Sequence, residues 1–466
     1  MYPGRVAESR ELKRELGLFD LVLTQVLYIV GLSWVGVAAK LGEAHVVYWL
    51  IAIALFYIPS ALVVIHLGTR MPIEGGLYEW SRHGFGEMTG FLVGWNLWVY
   101  ILVLLSTIGL VASTNLTYML GPKAAWLAQE KWFISAIALV LTVALMLVST
   151  IGWSIGRWIH GASAIVMLAM FAVLIALPLI RFVRGEPMEN RPFALAAPPV
   201  SLFSLNILGK LGFAALGGFE YVALFAGECR DPIRTIGRSV IVAAPICALM
   251  FILGTGSVLA LVGREKVDLV SPVAQTLNAG TRELGLIANV VPIVILSVLI
   301  TALGKYSVWF AGNCRLPMVA GWDHLLPEWF TRLSPRHRTP VNSILFGGVM
   351  MIVIGLGGIV GVGQQEAYQL LDNTSGILYG LTYLVMFAIP IFGASKTRGP
   401  NWLRVVSASG FAMTLLYVLT SIFPIIPVVS RTLFTTKIVG VILIVNALGV
   451  GVFVANRRAT DTLPQP

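Results

Sequence analysis

Twelve stretches of about twenty residues, each apolar and nearly free of charge, follow one another along this chain and decide what it can become. They run near Leu18 to Ala39, Val46 to Thr69, Met88 to Thr114, Trp132 to Ile151, Trp158 to Phe182, Leu202 to Gly227, Ser239 to Val262, Leu284 to Ala311, Val341 to Gly361, Leu370 to Phe392, Val405 to Ile425 and Leu433 to Ala455. At about 1.5 Å per residue, a helix of roughly 20 residues crosses the ~30 Å hydrocarbon layer. Lipid offers backbone groups no hydrogen bonds, so segments of this length must cross as helices. The fold class predicted is an all-α polytopic membrane protein. Composition agrees: of 466 residues 57% are hydrophobic and 12% charged, too little charge to coat a soluble fold. A cytosolic enzyme, a disordered chain and a disulfide-stapled secreted domain are excluded.

The net charge of +10 would suggest nucleic acid as partner for a soluble protein, but in a membrane chain it is read by position. Lys and Arg collect on the side that holds the N-terminal tail, Arg70, Arg82, Arg157, the Arg230 to Arg238 and Arg315 to Arg338 loops and the C-terminal tail. Both termini are therefore expected in the cytoplasm of a cell whose plasma membrane holds the protein, with no nucleic-acid partner. The N-terminal run reads as a retained tail without a signal peptide. Cys229, Cys247 and Cys314 show no metal-ligand spacing, so neither a metal site nor a cofactor is expected. Trp49, Trp80, Trp132, Trp329 and Trp402 fall at span ends, where interfacial anchoring would put them. The connection from Arg315 to Pro340 could hold a short amphipathic helix.

Carriers often bind their cargo where two membrane helices break at matching positions and bare their backbone groups. The first span carries Gly31 and Gly36 in YIVGLSWVG, and the sixth carries Gly217 and Gly218 in FAALGGFE. Gly31 and Gly217 both fall near mid-span. Small residues also serve plain helix packing, so the glycines alone do not decide. Glu220 shifts the balance: it follows the second break directly, and an ionisable side chain at that depth costs about 2.5 kcal/mol or more unless it faces water or a partner. Lys305, in the eighth span, invites the same reasoning. Lys210 is expected to snorkel from the outer end of span six. His66, His160 and Asp372 read as interfacial or hydrogen-bonded groups. No phosphate loop, metal motif or nucleophile arrangement occurs, so no enzyme chemistry is expected.

Three stretches together are similar to the amino acid–polyamine–organocation superfamily of permeases, over roughly residues 15 to 455. They are PIEGGLYEWSRHGFG, with Pro72, Gly75, Gly76, Tyr78 and Gly86; GFEYVALFAGECRDPIRTIGRS; and NCRLPMVAGWDHLLPEWF followed by RTP. The resemblance implies a LeuT-type core of two inverted five-helix repeats, about 18–182 and 202–392, followed by two peripheral helices at about 405–455. It also implies a small amino-bearing substrate held between broken helices. Its site would take Tyr28, Val30, Gly31 and Ser33 from span one and Gly217, Gly218, Phe219 and Glu220 from span six, with Phe213 as an aromatic lid.

Two departures from the family pattern stand out. The family's Gly-Ser/Ala-Gly triplet at the first break is replaced here by Tyr28-Ile29-Val30-Gly31, with bulkier side chains. The fifth span lacks the lysine whose ammonium replaces sodium in some proton-coupled relatives, and Lys305 would stand there instead, hydrogen-bonded to span-one carbonyls. The expected function is alternating-access transport of an amino acid, coupled to protons or run by exchange and not driven by sodium, with Lys305 and Glu220 as the coupling groups. Amine or polyamine transport and amino acid/amine antiport are the nearest alternatives, and a non-transporting membrane sensor is more distant. Oligomeric state is left open.

Overall fold

The structure, a computed structural model, describes residues 17–71, 76–151, 153–186, 192–220, 232–282, 291–319, 328–334, 339–395 and 397–461. Among these every regular element is helical. In chain order they are α1 (Leu18–Ile29), α2 (Trp34–Ala39), α3 (Gly42–Arg70), α4 (Leu77–Phe85), α5 (Glu87–Leu120), α6 (Lys131–Ile151), α7 (Trp153–Val183), α8 (Leu202–Ala215), α9 (Pro232–Val262) and α10 (Pro272–Arg282). There follow α11 (Val291–Val319), α12 (Glu328–Thr331), α13 (Val341–Gly358), α14 (Gln364–Phe392), α15 (Asn401–Thr420) and α16 (Arg431–Asp461). Among the described residues ten helices are long and apolar enough to cross a membrane: α3, α5, α6, α7, α9, α11 and α13 to α16. The chain is thus an all-helical multi-pass membrane protein.

The two apolar windows without an unbroken crossing helix are the first and the sixth. Span one is divided into α1 and α2, and span six stops at Ala215; residues 221–231 lie outside the described residues. Both interruptions have local causes. The helix of α1 ends where Val30 turns extended (φ −71°, ψ 101°), a conformation that suits a β-branched residue. Span six winds into a π turn at Lys210–Ala215 before it stops, and α3 carries a matching π turn at Ile53–Tyr57. Such turns leave i→i−4 hydrogen bonds unmade and mark places where a helix is bent for use. The two meet through Phe56 and Phe213, with ring centroids 5.7 Å apart.

A milder irregularity divides α5. Ser106 Oγ donates to the Val103 carbonyl and Thr107 Oγ1 to that of Leu104, each at 2.6 Å. Hydroxyls that bond the preceding turn in this way bend a helix.

Span ten begins earlier than hydropathy suggests, at Gln364 and not near Leu370. Its first turns are polar because they hold the loop between α15 and α16. Gln369 Oε1 accepts from the Ile425 N–H and Glu366 Oε2 from that of Val429, donors that would otherwise be stranded. The helix α10 is unanticipated; Pro at its first position after Ser271 is the start signal it offers. Between the two sets of spans, residues 192–200 run without helix. His45 Nε2 lies 2.6 Å from the Pro192 carbonyl, and the Tyr48 hydroxyl donates to that of Pro199.

Two expectations change. Trp49 and Trp80 are wholly buried and not interfacial: the first donates to Thr255 Oγ1 and stacks on Phe251, the second donates to the Met71 carbonyl. Lys210 does not snorkel. It is 1% exposed and donates to Asn373 Oδ1, with its ammonium over the Tyr417 ring, because the π turn faces it towards α14 and α15. In the connection from Arg315 to Pro340, α11 continues to Val319 and the short α12 follows; residues 320–327 and 335–338 lie outside the described residues.

Candidate functional site

The two broken spans face each other across a cavity of about 150 Å³ at the centre of the bundle. A cavity of roughly that volume in an engineered apolar core admits benzene, so this one suits a ligand of a few heavy atoms. Its walls come from the α1–α2 break, α5, the end of α8, α11, α14 and α15. Aromatic rings dominate, with backbone from both breaks and two charged side chains, Lys305 and Asp372, between them.

At the first break Tyr28, Val30, Gly31 and Ser33 all line the cavity. Gly31 is needed there. A Cβ on it would lie 2.5 Å from Cδ1 of Trp34, whose ring also forms the wall. The Val30 carbonyl, freed by the end of α1, accepts a hydrogen bond of 3.3 Å from Lys305 Nζ. One helical turn further along α11, Trp309 lies under the same ammonium at 4.8 Å and meets Tyr28 edge to face at 5.6 Å. The lysine expected to face the first break thus reaches it.

At the second break Gly217, Gly218 and Phe213 line the cavity, and Phe219 and Glu220 do not. Gly218 has φ +126°, a backbone conformation that L side chains rarely adopt, and its N–H donates to the Tyr383 hydroxyl at 2.8 Å. Phe219 turns away and stacks on Tyr57 at 4.7 Å. Phe213 is fully buried and gripped by Tyr379, Tyr383 and Tyr417, with centroids 5.2, 5.1 and 4.8 Å away. It forms a wall and not a loose lid. Glu220 sits behind the wall: the hydroxyls of Tyr379 and Tyr383 each donate to one of its carboxylate oxygens. Tyr379 therefore shows its ring to the cavity and its hydroxyl to the glutamate, tying the second break to α14.

Sequence reasoning passes over Asp372, Tyr306 and Tyr368 as site residues. Asp372 was expected near an interface, but the early start of α14 sets it about 12 Å inside the helix, on the cavity wall. Tyr368 is one turn before it and Tyr306 follows Lys305; the Tyr306 hydroxyl pairs with Thr107 Oγ1 at 2.8 Å, at the bend of α5. The i, i+4 spacing of Tyr368 with Asp372, and of Lys305 with Trp309, is the signal that could have found them. His66 is half-buried on α3, away from the cavity, and the His160 side chain lies outside the described residues. Among the described residues no group of His, Cys, Asp and Glu could hold a metal ion.

A second cavity of about 430 Å³ lies beyond the first, towards the face opposite the start of α1. It is polar, with Thr114, Thr117, Tyr118, Asp268, Gln275, Asn278 and Gln364 among its walls. The Tyr118 hydroxyl donates to Asp268 at 2.8 Å, joining α5 to the loop before α10. The two cavities are consecutive along the same elements. Val111, Val270 and Tyr368 wall the inner one; Thr114, Asp268 and Gln364, a turn or less away, wall the outer one.

Comparison with known proteins agrees with this architecture. Residues 16–450 match the family described as amino acid permease. An uncharacterised transporter of Legionella pneumophila is 27% identical over 388 residues, which covers 81% of each chain. A probable agmatine/putrescine antiporter of Lactococcus lactis is 22% identical, over 85% of this chain and 83% of its own. A branched-chain amino acid permease of Bacillus subtilis is 21% identical, over 78% and 80%.

Proposed function

Because the chain belongs to the amino acid permease family, we propose that it is a secondary active transporter that moves a small amino acid across the cell membrane by alternating access. Both termini then lie in the cytoplasm, where the excess of Lys and Arg belongs. Residues 18–182 and 202–392 form the two inverted repeats, and 405–455 the peripheral pair. Substrate occupies the central cavity between the breaks, among Tyr28, Val30, Gly31, Ser33, Phe213, Gly217 and Gly218, while Phe219 and Glu220 support the second break from behind.

The observation that carries the reading is the ammonium of Lys305 on the Val30 carbonyl. The ammonium beside the first break repels a metal cation and occupies a lone pair that such a cation would need. The carrier is therefore not sodium-driven; it runs on protons or by exchange. Exchange has support in the relative named as an agmatine/putrescine antiporter, which also makes an amine the alternative cargo. The test is uptake of labelled leucine, arginine, agmatine and putrescine into proteoliposomes, with choline replacing sodium and with or without unlabelled substrate inside. Undiminished uptake without sodium, lost in Lys305→Ala, is the expected result. Uptake that needs sodium, or a Lys305→Ala variant with full proton-dependent transport, overturns it.

A further inference from the structure

Among the described residues four Lys, Asp and Glu side chains, Lys210, Glu220, Lys305 and Asp372, stand deep among the spans, and three of them are satisfied by the protein. Glu220 receives two tyrosine hydroxyls, Lys210 donates to Asn373, and Lys305 donates to the Val30 carbonyl. Asp372 is the exception. Its backbone carbonyl accepts from Ser375 Oγ at 2.9 Å, but among the described residues its carboxylate receives no hydrogen bond and forms no ion pair, although it lies on the cavity wall. Lys210 acts on it electrostatically, yet its hydrogen bond goes to the neighbouring Asn373 and none reaches Asp372. A carboxylate has about four lone-pair directions and no donor of its own, and such groups in protein interiors find partners. A donor that enters the cavity would supply the partner.

The first break explains why that donor would come to Asp372. A free carbonyl at the negative end of a broken helix is an acceptor for a ligand's amine, and here the Val30 carbonyl already accepts from the Lys305 ammonium, which repels a second cation from the same oxygen. Lys305 and Asp372 are the two charged side chains on the wall, so a ligand bearing an ammonium finds one opposite charge and one like charge. We infer that Asp372 receives the primary ammonium of the substrate, so that this carrier selects amine-bearing cargo through α14 and not through the carbonyls of its first break. The inference rests on the central cavity being the substrate site.

The experiment compares ligands that differ by that amine alone. Binding of leucine against 4-methylpentanoate, and of agmatine against butylguanidine, is measured on purified wild type and Asp372→Asn by thermal shift and competition. A buried charge-assisted hydrogen bond corresponds to roughly a ten- to hundredfold change in affinity. Wild type should prefer at least one amine-bearing compound by that margin, and the preference should collapse towards one in Asp372→Asn. If the lost counter-charge of Lys210 unfolds that variant, the double change Lys210→Met with Asp372→Asn restores the balance and carries the same measurement. A preference that persists in the variant, or no preference in wild type, overturns the inference. Ala302→Trp, which fills the cavity from α11, separates the two readings. If it leaves binding intact, the cavity itself is not the site; if it abolishes binding while Asp372→Asn keeps the preference, the cavity stands and the role of Asp372 fails.

Discussion

The clasp on Glu220 makes a graded forecast, because its two tyrosines are not equivalent. Tyr379→Phe removes one hydroxyl from the carboxylate and keeps the ring, which stacks on Tyr100 at 4.4 Å. A hydrogen bond to a charged group contributes about 1.5–3 kcal/mol, and that is the expected loss. Tyr383→Phe removes a donor to the same carboxylate and also the acceptor for the Gly218 N–H. It should lose a similar amount plus about 1 kcal/mol for the neutral bond. Thermal unfolding in detergent, read as the order of melting temperatures, should therefore fall from wild type to Tyr379→Phe to Tyr383→Phe. The control is Glu220→Gln, which replaces the charged acceptor by a neutral one. In that background Tyr379→Phe should cost no more than about 1 kcal/mol, so the cycle would show coupling of roughly 0.5–2 kcal/mol. Equal effects of the two tyrosines, or the same Tyr379→Phe effect with and without Glu220, would refute the assignment of the clasp.

Two further substitutions probe the breaks. Gly31→Ala puts a methyl 2.5 Å from Trp34 Cδ1, so the indole must leave its place on the cavity wall; transport should drop severalfold in a vesicle assay while circular dichroism stays helical, and unchanged uptake would mean that the wall is looser than drawn. Lys210→Met strips the donor from Asn373 Oδ1 in the core, for which about 1–3 kcal/mol of destabilisation is expected; a snorkelling lysine would give no change in melting temperature.

Much of this architecture was legible in the sequence because lipid forces a simple code on it. Apolar runs of the right length become helices whatever their partners, and among the described residues ten of the twelve hold a helix long enough to cross. The two interruptions were visible through Gly31 and through Gly217 with Glu220 beside it, and the contact of Lys305 with the first break followed from the family resemblance, which sets span eight beside span one. What hydropathy missed was polar in a useful way. Gln364 and Glu366 lowered the apolar average at the start of α14, so the helix seemed to begin later and Asp372 seemed to lie at its rim. Lys210 was misjudged for a related reason. Its depth was clear, but which way it pointed depended on a π turn that shifts the helical register by one residue, and no count along an ideal helix includes that shift.

The way the cavity is closed differs between its two ends, and that difference bears on the transport cycle. Towards the face opposite the start of α1, roughly one turn separates it from the polar outer cavity, at Val111, Val270 and Tyr368. Towards the other face, Tyr379, Tyr383 and Phe387 follow one another down α14 beneath it, packed with Phe56 and Phe213 and pinned by the Glu220 clasp. Below them α4 docks under the end of the same helix, where the Ala394 N–H donates to the Gly84 carbonyl at 3.1 Å. Parting the thin layer exposes few apolar contacts. Opening the thick end means breaking several ring pairs, at about 0.5–1.5 kcal/mol each, together with charge-assisted hydrogen bonds. On the proposed alternating-access cycle, opening towards the face that holds the outer cavity would therefore break the fewer contacts, and opening towards the other would require release of α14 from Glu220.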